Sequence, residues 1–220
     1  MSTVIRVAPD ELGERRSISP VAEARSSRPP SDKAERIVEA MRVSVARRGT
    51  VASTFDQVAR DAGVSRGLLH YYFGSKEHLL VQAARRDFEL RMEVLERQLA
   101  AATTADDFIH LMARHLEERV SDDPDLVTLI FELFNLSRRN ADIAVEYSAL
   151  LSQSREKVAG MLANAQREGV LQLAAAPESV AEVLFALADG LALRMLLEPE
   201  RDFTATMDAG IACARELLEA

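Results

Sequence analysis

The sequence predicts an all-α protein. From Asp32 onward, apolar residues recur at every third or fourth position in long runs. Short stretches rich in Gly, Pro, Ser, Thr and Asp break these runs where helices start and stop. No alternation of apolar and polar residues reaches the length of a useful strand.

Residues 1-32 contain SISP and SSRPP among scattered charges, with no sustained apolar period, and are expected to form a disordered extension. Asp32 with Glu35 fits a capping box for a first helix, on which Ala34, Ile37, Met41 and Val45 share a face until Gly49 stops the run. Thr54, with Gln57 as its reciprocal cap, opens a second helix with Phe55, Val58, Ala59 and Ala62 inward. Gly63 supplies the left-handed residue that ends it. Ser65 caps a short third helix over 66-73, and Ser75 caps a fourth from Lys76 to about Leu99. Five more helices are expected at about 105-120, 124-139, 141-168, 178-197 and 203-219. Their breaks are TTAD, SDDP, RRNAD, REG followed by AAAPES, and EPERD.

With 48% apolar and 28% charged residues among 220, the chain reads as globular. No apolar run has the length of a membrane span, and the N-terminus has no segment of signal-peptide character, so a cytoplasmic protein without a membrane partner is expected. The lone Cys213 excludes an intramolecular disulfide and any two-cysteine metal motif. HExxH, P-loop and GxSxG patterns do not occur, and the expectation is a protein without enzymatic activity or cofactor. His110 and His115 lie five apart, on different sides of a helix, and no metal site is expected there.

The net charge of -8 is unevenly distributed: residues 1-32 carry 0, residues 33-80 carry +3 and residues 81-220 carry -11. That asymmetry is compatible with a DNA-binding head on an acidic body.

The head carries the more specific signal. Two helices joined by the turn Gly63-Val64-Ser65 form a helix-turn-helix, whose second helix is the one that enters a major groove. On that helix Leu69, Tyr72 and Phe73 face inward, and Arg66, Gly67, His70 and Tyr71 have no core to enter. Arg66 suits a guanine edge or a phosphate, Gly67 permits close backbone approach, and His70 and Tyr71 offer flat surfaces with polar tips. Thr54 and Lys76, at helix N-termini, add candidate phosphate contacts.

The stretch TFDQVARDAGVSRGLLHYYFGSKEHLL, from Thr54 to Leu80, resembles the DNA-binding domain of the TetR family of bacterial transcriptional repressors. The shared features are the AGVS turn, the aromatic run ending in Phe and the SKE-x-LL start of the fourth helix. The resemblance implies a three-helix DNA-binding domain over 33-80 and a ligand-binding and dimerisation domain over 81-220. Its DNA contacts would fall on Thr54, Ser65, Arg66, Gly67, His70, Tyr71, Tyr72 and Lys76. His70 stands where the family most often has Tyr, and Leu68 where a small or polar residue is common.

In the body, the helix at about 178-197 has two apolar stripes. Val180, Leu184, Leu187 and Leu191 form one, and Val183, Ala186, Gly190 and Leu193 the other. The helix at about 203-219 presents Phe203, Met207, Ile211, Ala214 and Leu218. Taken with the resemblance, these two helices imply a homodimer through a four-helix bundle and a palindromic double-stranded DNA operator. The resemblance also implies a small-molecule effector enclosed by the body. Candidate lining residues are Phe108, Met112, His115, Phe131, Phe134, Tyr147 and Leu151, which suggest a largely apolar ligand. Repression is the expected output; activation, or a ligand carrier with a vestigial head, are the alternatives.

Overall fold

The computed structural model describes residues 32–219, and nine helices form among them. The extension expected over 1-32 lies outside the described residues except for Asp32. In order the helices are α1 (Asp32–Ala52), α2 (Phe55–Ala62), α3 (Arg66–Phe73), α4 (Lys76–Leu99), α5 (Ala105–Asp122), α6 (Pro124–Ser137), α7 (Ala141–Arg167), α8 (Pro177–Leu197) and α9 (Thr204–Leu218). No β-sheet occurs among the described residues; a parallel bridge between Gln172 and Glu219 ties the loop after α7 to the end of α9.

Most helix starts follow local chemistry. The Thr54 hydroxyl accepts from the Gln57 amide, Ser75 from the His78 amide and Thr104 from the Asp107 amide. The Asp107 carboxylate reaches back to the Thr104 amide and completes a capping box. Three expected caps differ. Asp32 is the first helical residue of α1, where its charge and that of Glu35 sit in the first turn and complement the helix dipole. The Gln57 side chain bonds to Asp61 and Arg60 instead of turning back to Thr54, because those partners lie three and four residues ahead on its own helix. Ser65 holds the N-cap position of α3 without a side-chain hydrogen bond. Gly49, at φ 73°, interrupts α1 and leaves Thr50–Ala52 as a short turn leading to α2.

Three apolar clusters organise the packing. The first joins Ile37, Met41 and Val45 of α1, Phe55, Val58, Ala59 and Ala62 of α2, and Leu69 of α3 to Leu79 and Leu80 of α4. It continues without a break into Leu126, Leu129 and Leu133 of α6 and Ile143, Tyr147 and Leu150 of α7. The second lies among the C-terminal half of α4, α5, α7, α8 and α9, and the third joins Val120, Val127 and Ala192 with Leu116, Phe131, Met195 and Leu196 around them. The helix-turn-helix therefore rests on α4, α6 and α7, so its recognition face is held by an extended support. An ion-pair chain reinforces that support. Buried Asp87 of α4 lies 3.0 Å from Arg91 and 3.7 Å from Arg42 of α1, while Arg91 reaches Asp123 at 2.5 Å between α5 and α6.

Candidate nucleic-acid interface and interior site

The turn between α2 and α3 is built by Gly63, whose φ of 65° places it in the left-handed region that glycine adopts without strain. The Gly63 and Val64 amides cap the carbonyls of Arg60 and Ala59, and the Val64 side chain packs against the first cluster. This fixes the start of α3. Leu69 is fully buried, with half-buried Tyr72 and Phe73 against the same cluster. Ser65, Arg66, Gly67, His70 and Tyr71 lie on the exposed side, and Tyr71 is 66% exposed. Its ring meets Tyr72 edge to face, with centroids 5.2 Å apart, so the outer aromatic is braced by the inner one.

The other candidates surround this face. His70 stacks edge-on against Phe55 at 4.8 Å, and its Nδ1 lies 3.2 Å from the Gly74 carbonyl, which holds the ring at the end of α3. Arg66 pairs with Asp56 of α2 at 3.1 Å while both remain exposed, a weak contact that a phosphate or guanine edge can replace. A Cβ at Gly67 would approach only the Ser65 hydroxyl, at 4.0 Å. Packing within the chain therefore does not require glycine there. Thr54 is exposed at its cap, whereas Lys76 is half-buried and its ammonium donates to the Thr50 carbonyl. That contact turns the lysine inward to brace the end of α1.

In the body the predicted lining residues separate. Phe108 is buried in the second cluster with Met112 packed beside it, and Phe131 lies at the third. Tyr147 is buried in the first cluster and its hydroxyl donates to the Ile130 carbonyl at 3.0 Å. Phe134 and Leu151 are on the surface, at 53% and 42% exposure. Both were candidates as apolar residues of the enclosing helices, but the sides of α6 and α7 that they occupy are left uncovered by the neighbouring helices. A separate narrow apolar crevice of about 80 Å³ runs between α5, α8 and α9, lined in part by Met112, Leu116, Leu187, Leu191 and Ile211.

His115 of α5 lies among charges that its sequence neighbours did not reveal. Burial, then nearby Arg91, pushes the His115 imidazole below its usual range, so it is neutral at pH 7. One turn on, Arg119 is half-buried with its Nε inside, and burial lowers its guanidinium from its ordinary value while Asp87 opposes this. Asp189 of α8 is raised by burial and held back by Arg119. The Tyr147 hydroxyl is pushed up to about 12 by burial and then by the Asp189 carboxylate. His115 Nε2 and Arg119 Nε are buried without a hydrogen-bond partner. The signal for Arg119 in the sequence was its spacing of four from His115, which places both on one face of α5.

Residues 37–83 match the pattern of bacterial regulatory proteins of the tetR family, and residues 109–220 match the C-terminal domain of BetI-type transcriptional repressors. The chain belongs to the TetR family. It is a TetR-family transcriptional regulator with an N-terminal helix-turn-helix. Among curated TetR-type relatives, the HTH-type transcriptional regulator BetI of Rhizobium meliloti (strain 1021) is 27% identical over 185 residues, covering 84% of this chain and 86% of that protein. The HTH-type transcriptional repressor BepR of Brucella suis biovar 1 (strain 1330) is 26% identical over 171 residues, covering 71% and 76%. Two solved structures share the fold. The transcriptional regulator FadR from Bacillus subtilis, in complex with stearoyl-CoA, has a TM-score of 0.62 at 18% identity and covers 82% of this chain and 96% of its own. A regulator from Saccharomonospora viridis in complex with choline has a TM-score of 0.62 at 22% identity, covering 90% and 100%. The TetR family consists of DNA-binding regulators rather than enzymes. No helix among the described residues is long and apolar enough to cross a membrane.

Proposed function

We propose that this TetR-family regulator is a homodimeric repressor that leaves a palindromic operator when a small molecule binds its body. The observation that carries the DNA side is the division of α3, with Leu69 fully buried beneath Tyr71 at 66% exposure. Ser65, Arg66, Gly67, His70 and Tyr71 form the reading face, with Thr54 and Tyr72 at its margin. Gly67 lets the backbone approach the DNA, which suits a glycine that internal packing does not demand. Lys76 contributes positive charge beside the face while bracing Thr50. The reader head corresponds to residues 33-80 and the sensing body to 81-220.

The dimer reading rests on α8. Val180 and Leu184 are buried within the chain, whereas Val183 and Leu193 of the second stripe are exposed at 45% and 39%, beside exposed Ala186 and Gly190. This second apolar face packs on its symmetry mate, and the exposed side of α9 joins it in a four-helix bundle. Two copies of α3 then address half-sites related by the same two-fold axis. Such a protein works in the cytoplasm, where its DNA is.

Release requires the body to move the heads. The Arg42–Asp87–Arg91–Asp123 chain links α1 to α4 and to the α5–α6 junction. Asp87 also acts electrostatically on His115 and Arg119, so occupation of the interior site reaches the support of the head through one carboxylate. Of the predicted lining residues, Phe131 lies at the third apolar cluster with Val120 of α5, and Met112 lines the crevice between α5, α8 and α9, so the effector meets largely apolar surroundings there. Relatives of the same fold solved with stearoyl-CoA and with choline support small-molecule sensing as the mode of control. Footprinting on the DNA upstream of the protein's own gene tests this reading. A protected palindrome is the expected result, and protection of a site without two-fold symmetry would contradict the dimer.

A further inference from the structure

Resting on the ligand-responsive reading above, we propose that Arg119 and His115 together hold a carboxylate group of the effector. The two side chains lie one turn apart on the inward face of α5. Each has a buried nitrogen, Nε of Arg119 and Nε2 of His115, without a hydrogen-bond partner. A neutral imidazole with no competing bond at Nδ1 is free to carry its proton on Nε2, so both orphaned atoms are donors. Two unpaired donors on one helix face call for an acceptor, and the guanidinium calls for a charged one.

The neighbouring acids do not answer that need. Asp87 is engaged by Arg91 and Arg42, and Asp123 by Arg91. Asp189 and Arg119 influence each other electrostatically without forming an ion pair within 4.0 Å. The Nε of half-buried Arg119 is itself buried without a hydrogen-bond partner, which is costly, and arginine cannot shed its proton to relieve that cost. Most buried polar groups are satisfied, so an exception of this size marks a binding group. The surroundings set the rest of the ligand. Leu116, Phe131 and Met195 lie at the adjoining apolar cluster, so the molecule taken is an organic acid with an apolar body. Asp189 stands on the opposite helix as a negative charge that limits how tightly a simple monocarboxylate binds.

Calorimetry and thermal denaturation of the full-length protein test this with octanoate, phenylacetate and indole-3-acetate, each beside the alcohol of the same skeleton. At least one acid should bind about tenfold or more tightly than its alcohol. Arg119→Met should erase that preference without lowering the melting temperature of the unliganded protein, because it removes an unpaired buried charge. His115→Phe should weaken it, and Asp189→Asn should strengthen acid binding. Equal binding of acids and alcohols, or acid binding unchanged in Arg119→Met, would overturn the assignment, as would loss of folding in both Arg119→Met and Arg119→Gln, which would make the arginine a structural group. Failure of the wild type to bind operator at all would instead contradict the regulator reading and leave the acid preference measurable.

Discussion

At the scale of single residues, adjacent positions in the aromatic run have opposite consequences. Tyr71→Ala should leave the melting temperature nearly unchanged, since its ring is mostly exposed, and weaken operator binding by about 1–3 kcal/mol. Leu69→Ala, from the fully buried side of the same helix, should cost about 2–5 kcal/mol of folding stability. Denaturant titration beside DNA titration of the two variants separates these effects, and the reverse pattern would exchange the two faces of α3. His115 gives a pH signature. Its folded-state pKa lies below that of the unfolded chain, where histidine titrates near about 6.5, so the unfolded state takes up the proton first. The contribution is neutral above that pH and becomes destabilising as pH falls through about 6.5. His115→Gln should therefore flatten the loss of stability between about pH 7 and 5 relative to wild type, despite the surrounding Arg91, Asp87, Glu118 and Arg119. An identical slope in the variant would place the titrating group elsewhere.

At the scale of elements, the helix boundaries were readable because they are fixed by neighbours in sequence. Thr54, Gly63 and Ser75 act within four residues of themselves; Ser75 places the start of α4, and the turn built by Gly63 places that of α3. Gly63→Ala should cost about 1 kcal/mol or more, since alanine resists a φ of 65° and the added methyl would stand 3.3 Å from the Arg36 guanidinium. Contacts across the fold were not readable in the same way. Phe134 and Leu151 stood with the lining residues of the pocket that the resemblance implies, because an apolar residue on one helix does not say whether another helix covers it. Arg119 was illegible for the opposite reason: an arginine in an acidic, charge-rich helix looks like a solvated residue until the fold buries its Nε near Asp87, Tyr147 and Asp189. The Asp87 network spans residues 42 to 123 and has no local signature. Asp87→Ala should destabilise the protein by about 3–5 kcal/mol in urea unfolding, because it leaves two arginines near the core without their shared carboxylate.

For the whole molecule, the head rests on α6 and α7 through one continuous apolar cluster, so folding of the proposed reading face depends on the body proposed to sense the effector. The uncovered stripe of α8 points the same body toward a second copy. Val183→Glu should convert the dimer to a monomer in sedimentation at micromolar concentration and weaken operator binding with it, since a single head loses the second half-site. The most direct measurement is fluorescence anisotropy of the wild-type protein with DNA from upstream of its own gene and with unrelated DNA of equal length, at physiological salt. Tight binding to the first, about 10³-fold or more above the second, is the result expected of a sequence-reading regulator. Weak binding to both, with the same steep dependence on salt, would mean that only the phosphate backbone is being felt and would contradict reading by α3 at that site.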